Sequence, residues 1–181
     1  MNKYFSPKVL VYIPVYGILA VLLAVLQTTL IPRIQIASCM PDIVIGAICC
    51  IGIYRGEITS SIFGLFSALC TEALGSTGLS VLPLFYLFTG YICGRIGRNA
   101  RDGSKFAAFL ITLPISCLGR VVISVISYTV SYFDSIDFGA FLLKTALPEY
   151  IYTLVMCIPA FLIVKLIESP MELIGKRGGW L

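Results

Sequence analysis

The sequence predicts an all-α membrane protein, a bundle of about six transmembrane helices. Of its 181 residues, 59% are hydrophobic and only 12% are charged, and the mean hydropathy is +0.98. A soluble domain is apolar in about half of its residues. Several apolar runs approach the ~20 residues that cross the hydrocarbon core of a bilayer. No polar stretch between them is long enough to fold alone, so we expect one integral membrane domain over residues 1–181.

The limits of the helices follow from the apolar runs and from the polar breaks between them. The predicted helices cover residues 9–31, 38–54, 58–74, 79–94, 106–133 and 140–167. Pro41 and Asp42 open the second helix, which is short for a straight crossing, so the course of residues 32–54 stays open. Asp42 is also a candidate ligand at the outer side. Pro114 predicts a kink in the fifth helix.

The basic residues predict the orientation of these helices. If the N-terminus lies inside, ten lysine and arginine side chains face the cytoplasm and only two face the outer side. Such an excess of basic residues is typical of cytoplasmic loops. We therefore expect both termini in the cytoplasm, together with a basic loop. The residues of this loop are Arg95, Arg98, Arg101 and Lys105.

Small residues at steps of four predict two close helix contacts. Ser60, Gly64 and Ala68 share one stripe of the third helix with Glu72, and small side chains let a neighbouring backbone approach. A charge that faced lipid would cost roughly 3 kcal/mol or more, so this stripe should face protein. Gly90 and Gly94 form a GxxxG motif in the fourth helix, either as a contact within the chain or as a dimer contact.

Three charges are predicted to lie in one layer inside the membrane. Glu72 and Arg120 each come fifteen residues after the start of an outward-running helix, which places them about 22 Å above the inner boundary. Glu149, in the sixth helix, lies at a similar depth. We expect Arg120 to bridge Glu72, Glu149 or both, because buried charges need partners. Two alternatives stay open: Glu149 only begins a helix after Pro148, and Glu72 reaches the outer interface.

The sequence does not favour catalysis. It contains no histidine, which is the commonest general base and metal ligand. Its seven cysteines form no CxxC pair, and it has no P-loop, HExxH or GxSxG motif. We expect no catalytic residue, no cofactor and no metal site. The basic charge at the helix ends indicates orientation in a lipid bilayer rather than nucleic-acid binding.

Over nearly its whole length, the chain resembles the bacterial rod shape-determining protein MreD family. The residues on which the resemblance rests are Pro41, Asp42, Arg55, Gly56, Gly64, Glu72, Gly78, Tyr91, Gly94, Pro148 and Tyr152. Two positions depart from the family pattern, which usually has Asp at the position of Glu72 and often Asn at that of Thr153.

The resemblance implies a non-enzymatic inner-membrane subunit of the machinery that elongates rod-shaped bacteria. Proteins of this family bind MreC and, through it, the MreB filament and the peptidoglycan synthase pair of RodA and penicillin-binding protein 2. On this interpretation the basic loop meets anionic lipid headgroups or a filament in the cytoplasm. Alternatively, the basic loop serves only as a topological anchor, which fixes the orientation of the helices in the membrane.

An alternative comes from a similar fold, that of the substrate-binding S components of energy-coupling factor vitamin transporters. S components bind a small molecule among the outer ends of six helices and dock on a transport subunit through an AxxxA stretch, which Ala20 and Ala24 match. The three charges would then line a vitamin pocket. The short outer turn at 75–78 and the single tryptophan, Trp180, do not favour this alternative. A third possibility is a membrane enzyme or small transporter that uses the charged layer directly.

Overall fold

The computed structural model describes residues 7–34, 40–75, 81–100, 104–131 and 138–177, and they confirm the all-α fold class. Six helices follow one another along the chain. Their limits are α1 Pro7–Val25, continued by a π-helical turn Leu26–Leu30 and a 3-10 turn Ile31–Arg33; α2 Ile43–Arg55; α3 Glu57–Gly75; α4 Leu82–Asn99; α5 Lys105–Ser131; and α6, which joins Phe138–Phe141, a π-helical turn Leu142–Ala146 and Leu147–Arg177.

Two helices extend well beyond their predicted ends. The fourth helix continues to Asn99 instead of ending at 94, and the sixth continues to Arg177 instead of ending at 167. Both predictions ended a helix where its apolar run ends, but polar residues continue an α-helix once it leaves the hydrocarbon layer. The second helix begins at Ile43, since residues 40–42 are not helical. Its predicted start at 38 lies outside the described residues.

Within the described ranges, four helical segments are long and apolar enough to cross a membrane, so the chain is a membrane protein. The four segments are Pro14–Arg33, Glu57–Gly75, Lys105–Ile126 and Leu147–Leu166. Helix α2 is shorter, with 13 residues, and spans about 20 Å at 1.5 Å per residue. Large apolar side chains, among them Ile18, Leu84 and Leu162, are more than half exposed on the outside of the bundle.

Helix α2 lies at the centre of the bundle. It packs against each of the other five helices, and every residue from Val44 to Ile53 is buried. Its contacts with α4 keep a constant separation along the chain, because the pairs Asp42–Tyr86 and Cys49–Cys93 are both 44 residues apart. Two contacts with α6 are likewise both 111 residues apart. A constant separation means that α2, α4 and α6 run in the same direction.

Helix α5 runs in the opposite direction. Ser116 contacts Cys49, whereas the later residue Arg120 contacts the earlier residue Asp42. The odd-numbered helices α1 and α3 also point the same way as each other, because Tyr16 packs on Phe63 and Thr28 lies beside Gly75, further along both helices. Helices α3 and α4 are antiparallel, because Gly64 faces Tyr86 and Gly94 faces Glu57. The six helices therefore form an up-and-down bundle, in which α1 begins and α6 ends at the same end.

Helices α3 and α4 pack closely because glycines line their contact. Gly64 faces Tyr86, and Gly94 faces Glu57, so the two helices are antiparallel. A Cβ atom on Gly64, Gly90 or Gly94 would lie 2.5, 2.5 and 2.3 Å, respectively, from the backbone of α3 or α4. No side chain fits at such a distance unless a backbone moves.

Candidate functional site

Asp42 occupies the N-terminus of α2, inside the bundle. Its Oδ1 accepts hydrogen bonds from the backbone N–H groups of Val44, at 3.1 Å, and Ile45, at 3.4 Å. This is an N-cap, which satisfies donors that the first turn of a helix leaves unpaired. Because α2 has only 13 residues, Asp42 lies about 20 Å from the opposite end of the helix. The residue is only 3% exposed.

The second oxygen of Asp42 has two side-chain donors. Arg120 Nε lies 3.3 Å from Oδ2, and the hydroxyl of Tyr86 donates a hydrogen bond to the same atom. Each carboxylate oxygen therefore accepts two hydrogen bonds. A buried carboxylate is tolerated when it is paired and its remaining acceptor positions are filled, and Asp42 meets both conditions.

Gln27 holds the backbone on either side of Asp42. It lies in the π-helical turn that continues α1, where its Nε2 donates to Pro41 O at 2.8 Å and its Oε1 accepts from Ile43 N at 3.2 Å. Short π-helical segments inside α-helices are frequent at functional sites. Gln27 thus connects the end of the first helix to the start of the second.

Helix α6 completes the surroundings of Asp42. The backbone N–H of Asp42 donates to the hydroxyl of Thr153 at 3.2 Å, and the thiol of Cys157 donates to the carbonyl of Asp42 at 3.5 Å. We call Gln27, Asp42, Tyr86, Arg120 and Thr153 the Asp42 cluster. Its members come from the π-helical turn after α1, the N-cap of α2, and helices α4, α5 and α6, so one network joins five of the six helices.

The structure gives Arg120 a different partner from the predicted ones. Arg120 forms its ion pair with Asp42. Within the described part of the chain, neither Glu72 nor Glu149 forms an ion pair with Arg120. Glu149 is near enough to interact with Arg120 electrostatically. Glu72 has a buried oxygen, Oε1, with no hydrogen-bond partner in the described part of the chain. The bridge predicted from Arg120 to these two acids is therefore corrected to a pair with Asp42.

The length of α2 is the sequence signal that could have identified Asp42 as the partner of Arg120. The sequence pattern predicted mainly that Pro41 and Asp42 begin a helix. Counting back thirteen residues from Arg55 places Asp42 about 20 Å above the inner boundary, in the same layer as the predicted depth of Arg120. Depth counting applied to α2 would have found the pair.

The predicted small-residue positions lie at helix contacts. Ser60 donates a hydrogen bond to Ile48 O at 2.9 Å and so joins α3 to α2, and Ala68 is fully buried. Gly64, Gly90 and Gly94 are covered by α3 or α4 of the same chain. For Gly90 and Gly94 the structure therefore shows the contact within the chain rather than a dimer contact.

Three residues of the basic loop, Arg95, Arg98 and Lys105, contact neighbouring side chains. Arg98 forms an ion pair with Glu57, and Arg95 donates a hydrogen bond to the hydroxyl of Tyr91 at 3.2 Å. Lys105 lies over the ring of Tyr54, 4.9 Å from its centre. These contacts stand at the end of the bundle where α4 ends and α5 begins. Arg101 lies outside the described residues.

The apolar groove on α1 does not include the Asp42 cluster. An open groove of ≈ 830 Å³ lies on the outside of α1, beside Phe66 of α3, and its lining is apolar. No member of the cluster lines this groove. Among the described residues, no three cysteine or acidic side chains are grouped so that they could hold a metal ion.

Compared with known proteins, the chain matches no protein-family model, no curated protein and no solved structure. Its relation to the MreD family therefore stays a prediction from the residues named above.

Proposed function

We propose that the chain is a non-enzymatic subunit of the bacterial rod-shape machinery in the inner membrane. In this role it binds MreC and helps to couple the MreB filament to peptidoglycan synthesis by RodA and penicillin-binding protein 2. The resemblance to the MreD family supports the identity of these partners. The observation that favours a scaffold over a transporter is the closed arrangement of the Asp42 cluster.

A site for a polar solute directs a few polar groups into a pocket. The Asp42 carboxylate accepts four hydrogen bonds from its own chain, two at each oxygen. Its backbone N–H and carbonyl are also bonded, to Thr153 and Cys157. The cluster is thus built to hold helices together, which suits a protein that presents a fixed surface to partners.

The first helix does not favour the alternative of a vitamin-transporter S component. Docking through Ala20 and Ala24 would require both residues on the surface of the bundle. Both are fully buried, at 0% exposure, within the chain itself. Of the three residues between them, Val21 and Leu22 are about half exposed. A transport subunit would therefore meet side chains other than the AxxxA stretch.

The arrangement of the basic residues supports a cytoplasmic position of both termini. The first helix begins and the last helix ends at one end of the bundle, and Arg55, Arg98 and Lys105 lie at that same end. Arg33 lies at the opposite end, in the last turn that follows α1. An excess of basic residues at one end is typical of the cytoplasmic side.

Isolation of the chain with its natural partners tests this function. An affinity-tagged copy, expressed from its own locus and extracted in mild detergent, is expected to retain a single-span protein with a periplasmic coiled coil, the architecture of MreC. As a control, Arg33→Gln changes one exposed charge that is not a member of the Asp42 cluster. Retention of a pair of transporter ATPases, without such a coiled-coil protein, would contradict the proposal.

A further inference from the structure

Two cysteines from different helices touch in the centre of the bundle. Cys93 Sγ lies 3.4 Å from Cys49 Sγ, and Ser116 Oγ lies 3.5 Å from Cys49 Sγ and 3.6 Å from Cys93 Sγ. We call Cys49 and Cys93 the thiol pair. Cys49 is 0% and Cys93 1% exposed, and both are free thiols.

The backbones of α2 and α4 are close on the side of the thiol pair that faces the basic end of the bundle. A Cβ atom on Gly52 would lie 2.9 Å from Gly94 N and 3.0 Å from Cys93 Cβ, and a Cβ atom on Gly97 would lie 2.4 Å from Ile53 Cα. The two helices also run in the same direction at a constant separation. A disulfide requires Cα atoms about 4.4–6.8 Å apart and Cβ atoms that face each other. The glycines Gly52 and Gly97 let the backbones of α2 and α4 approach closely beside the thiol pair, whose sulfur atoms are 3.4 Å apart.

We propose that the thiol pair is a disulfide-forming site, oxidised by a membrane-soluble quinone. The two S–H bonds break and one S–S bond forms between Cys49 and Cys93. The two electrons and two protons released reduce the quinone to a hydroquinone. The oxidant must be small and apolar, because the pair is buried in the bundle and the surrounding surface is apolar.

The thiols of two further cysteines, Cys50 and Cys157, contact backbone carbonyl groups instead of another thiol. The thiol of Cys157 donates to the carbonyl of Asp42 at 3.5 Å, and that of Cys50 lies 4.0 Å from the carbonyl of Phe161. Among the described cysteines, Cys49 and Cys93 are the pair whose sulfur atoms are in contact, so we expect oxidation at this pair.

A disulfide at this site fixes the relative position of α2 and α4. The thiol pair has the same 44-residue separation as the hydrogen bond between Tyr86 and Asp42, two turns away. The cross-link therefore holds the N-terminus of α2 against α4 and keeps the Asp42 cluster assembled. It does not depend on the proposed function, because it follows from the geometry of the thiol pair alone.

Thiol counting in lipid vesicles tests the proposal. The full-length protein is treated with a short-chain ubiquinone analogue, denatured in detergent, and labelled with a maleimide that adds a fixed mass to each free thiol. We expect the labelled count to fall from seven to five on treatment. Peptide mass spectrometry is expected to identify Cys49 linked to Cys93, with the loss of two hydrogen atoms, and this measurement needs no variant.

Variants assign the loss to the pair. Cys49→Ser and Cys93→Ser are expected to lose no thiol on treatment, whereas the matched control Cys50→Ser still loses two. An unchanged count of seven in the parent protein would overturn the proposal. A loss of two thiols that persists in Cys49→Ser, or a mass spectrum that links other cysteines, would overturn it as well.

Discussion

Neutralising Asp42 and Arg120, singly and together, measures how strongly the Asp42 cluster stabilises the fold. Removing one partner of a buried ion pair costs about 3–5 kcal/mol. The Arg120 side chain is 28% exposed, so we expect the lower end of this range, about 3 kcal/mol, for Asp42→Asn. Asparagine keeps an oxygen that can cap α2, so little of this loss comes from the helix end.

Arg120→Gln should destabilise less, by about 2 kcal/mol, because Asp42 keeps its bonds to Tyr86, Val44 and Ile45. The double variant leaves no unpaired charge, so its loss should be about 3 kcal/mol instead of the sum of about 5. The difference, a coupling of about 2 kcal/mol, is the quantity that identifies the pair.

Equilibrium unfolding in mixed detergent micelles, followed by circular dichroism, gives these free energies. Glu72→Gln, alone and with Arg120→Gln, is the matched control, since Glu72 is one of the two acids predicted to bridge to Arg120 and the structure does not pair it with Arg120. We expect a coupling below about 0.5 kcal/mol there, the limit for independent sites. An equal or larger coupling for Glu72 than for Asp42 would refute the assignment of the ion pair.

Three further substitutions test the packing of the bundle by the same unfolding measurement. Gly94→Ala places a methyl group 2.3 Å from a backbone atom of α3 and should cost about 2–3 kcal/mol, whereas Gly17→Ala, with no atom within 4 Å, should not destabilise. Gln27→Ala removes two hydrogen bonds and should cost about 1–3 kcal/mol; an unchanged stability would show that the link between α1 and α2 does not depend on this side chain. Ala24→Leu should overpack the interior and cost about 1–3 kcal/mol, while Val21→Leu on the exposed face should be neutral; equal effects would contradict the burial of the AxxxA stretch.

The fold class was predictable because it follows from hydropathy, which is a property of local segments. The number of helices was predictable for the same reason. The ends of the helices were less predictable, because a helix such as α4 continues through arginine and glycine residues beyond its apolar run. Hydropathy marks where the hydrocarbon layer ends, and hydrogen bonding of the backbone decides where the helix ends.

The ion-pair partner of Arg120 was not predictable from the sequence. Depth counting uses only the rise per residue, so it predicts that several charges lie at similar heights without choosing between them. Choosing between three acids requires knowledge of which helices are neighbours, and that depends on how side chains fit around α2. The central position of α2 is also the reason that Asp42, at the end of a short helix, lies inside the bundle rather than at its surface.

The most direct test of a scaffold role is to compare partner binding with the amount of folded protein in the Asp42→Asn and Arg120→Gln variants. If the Asp42 cluster only holds helices together, the yield of folded protein falls while the MreC retained per folded molecule stays equal to that of the parent. A variant that folds in normal yield but loses its binding of MreC, or of a small molecule that the parent binds, would contradict that role and identify the cluster as a binding site.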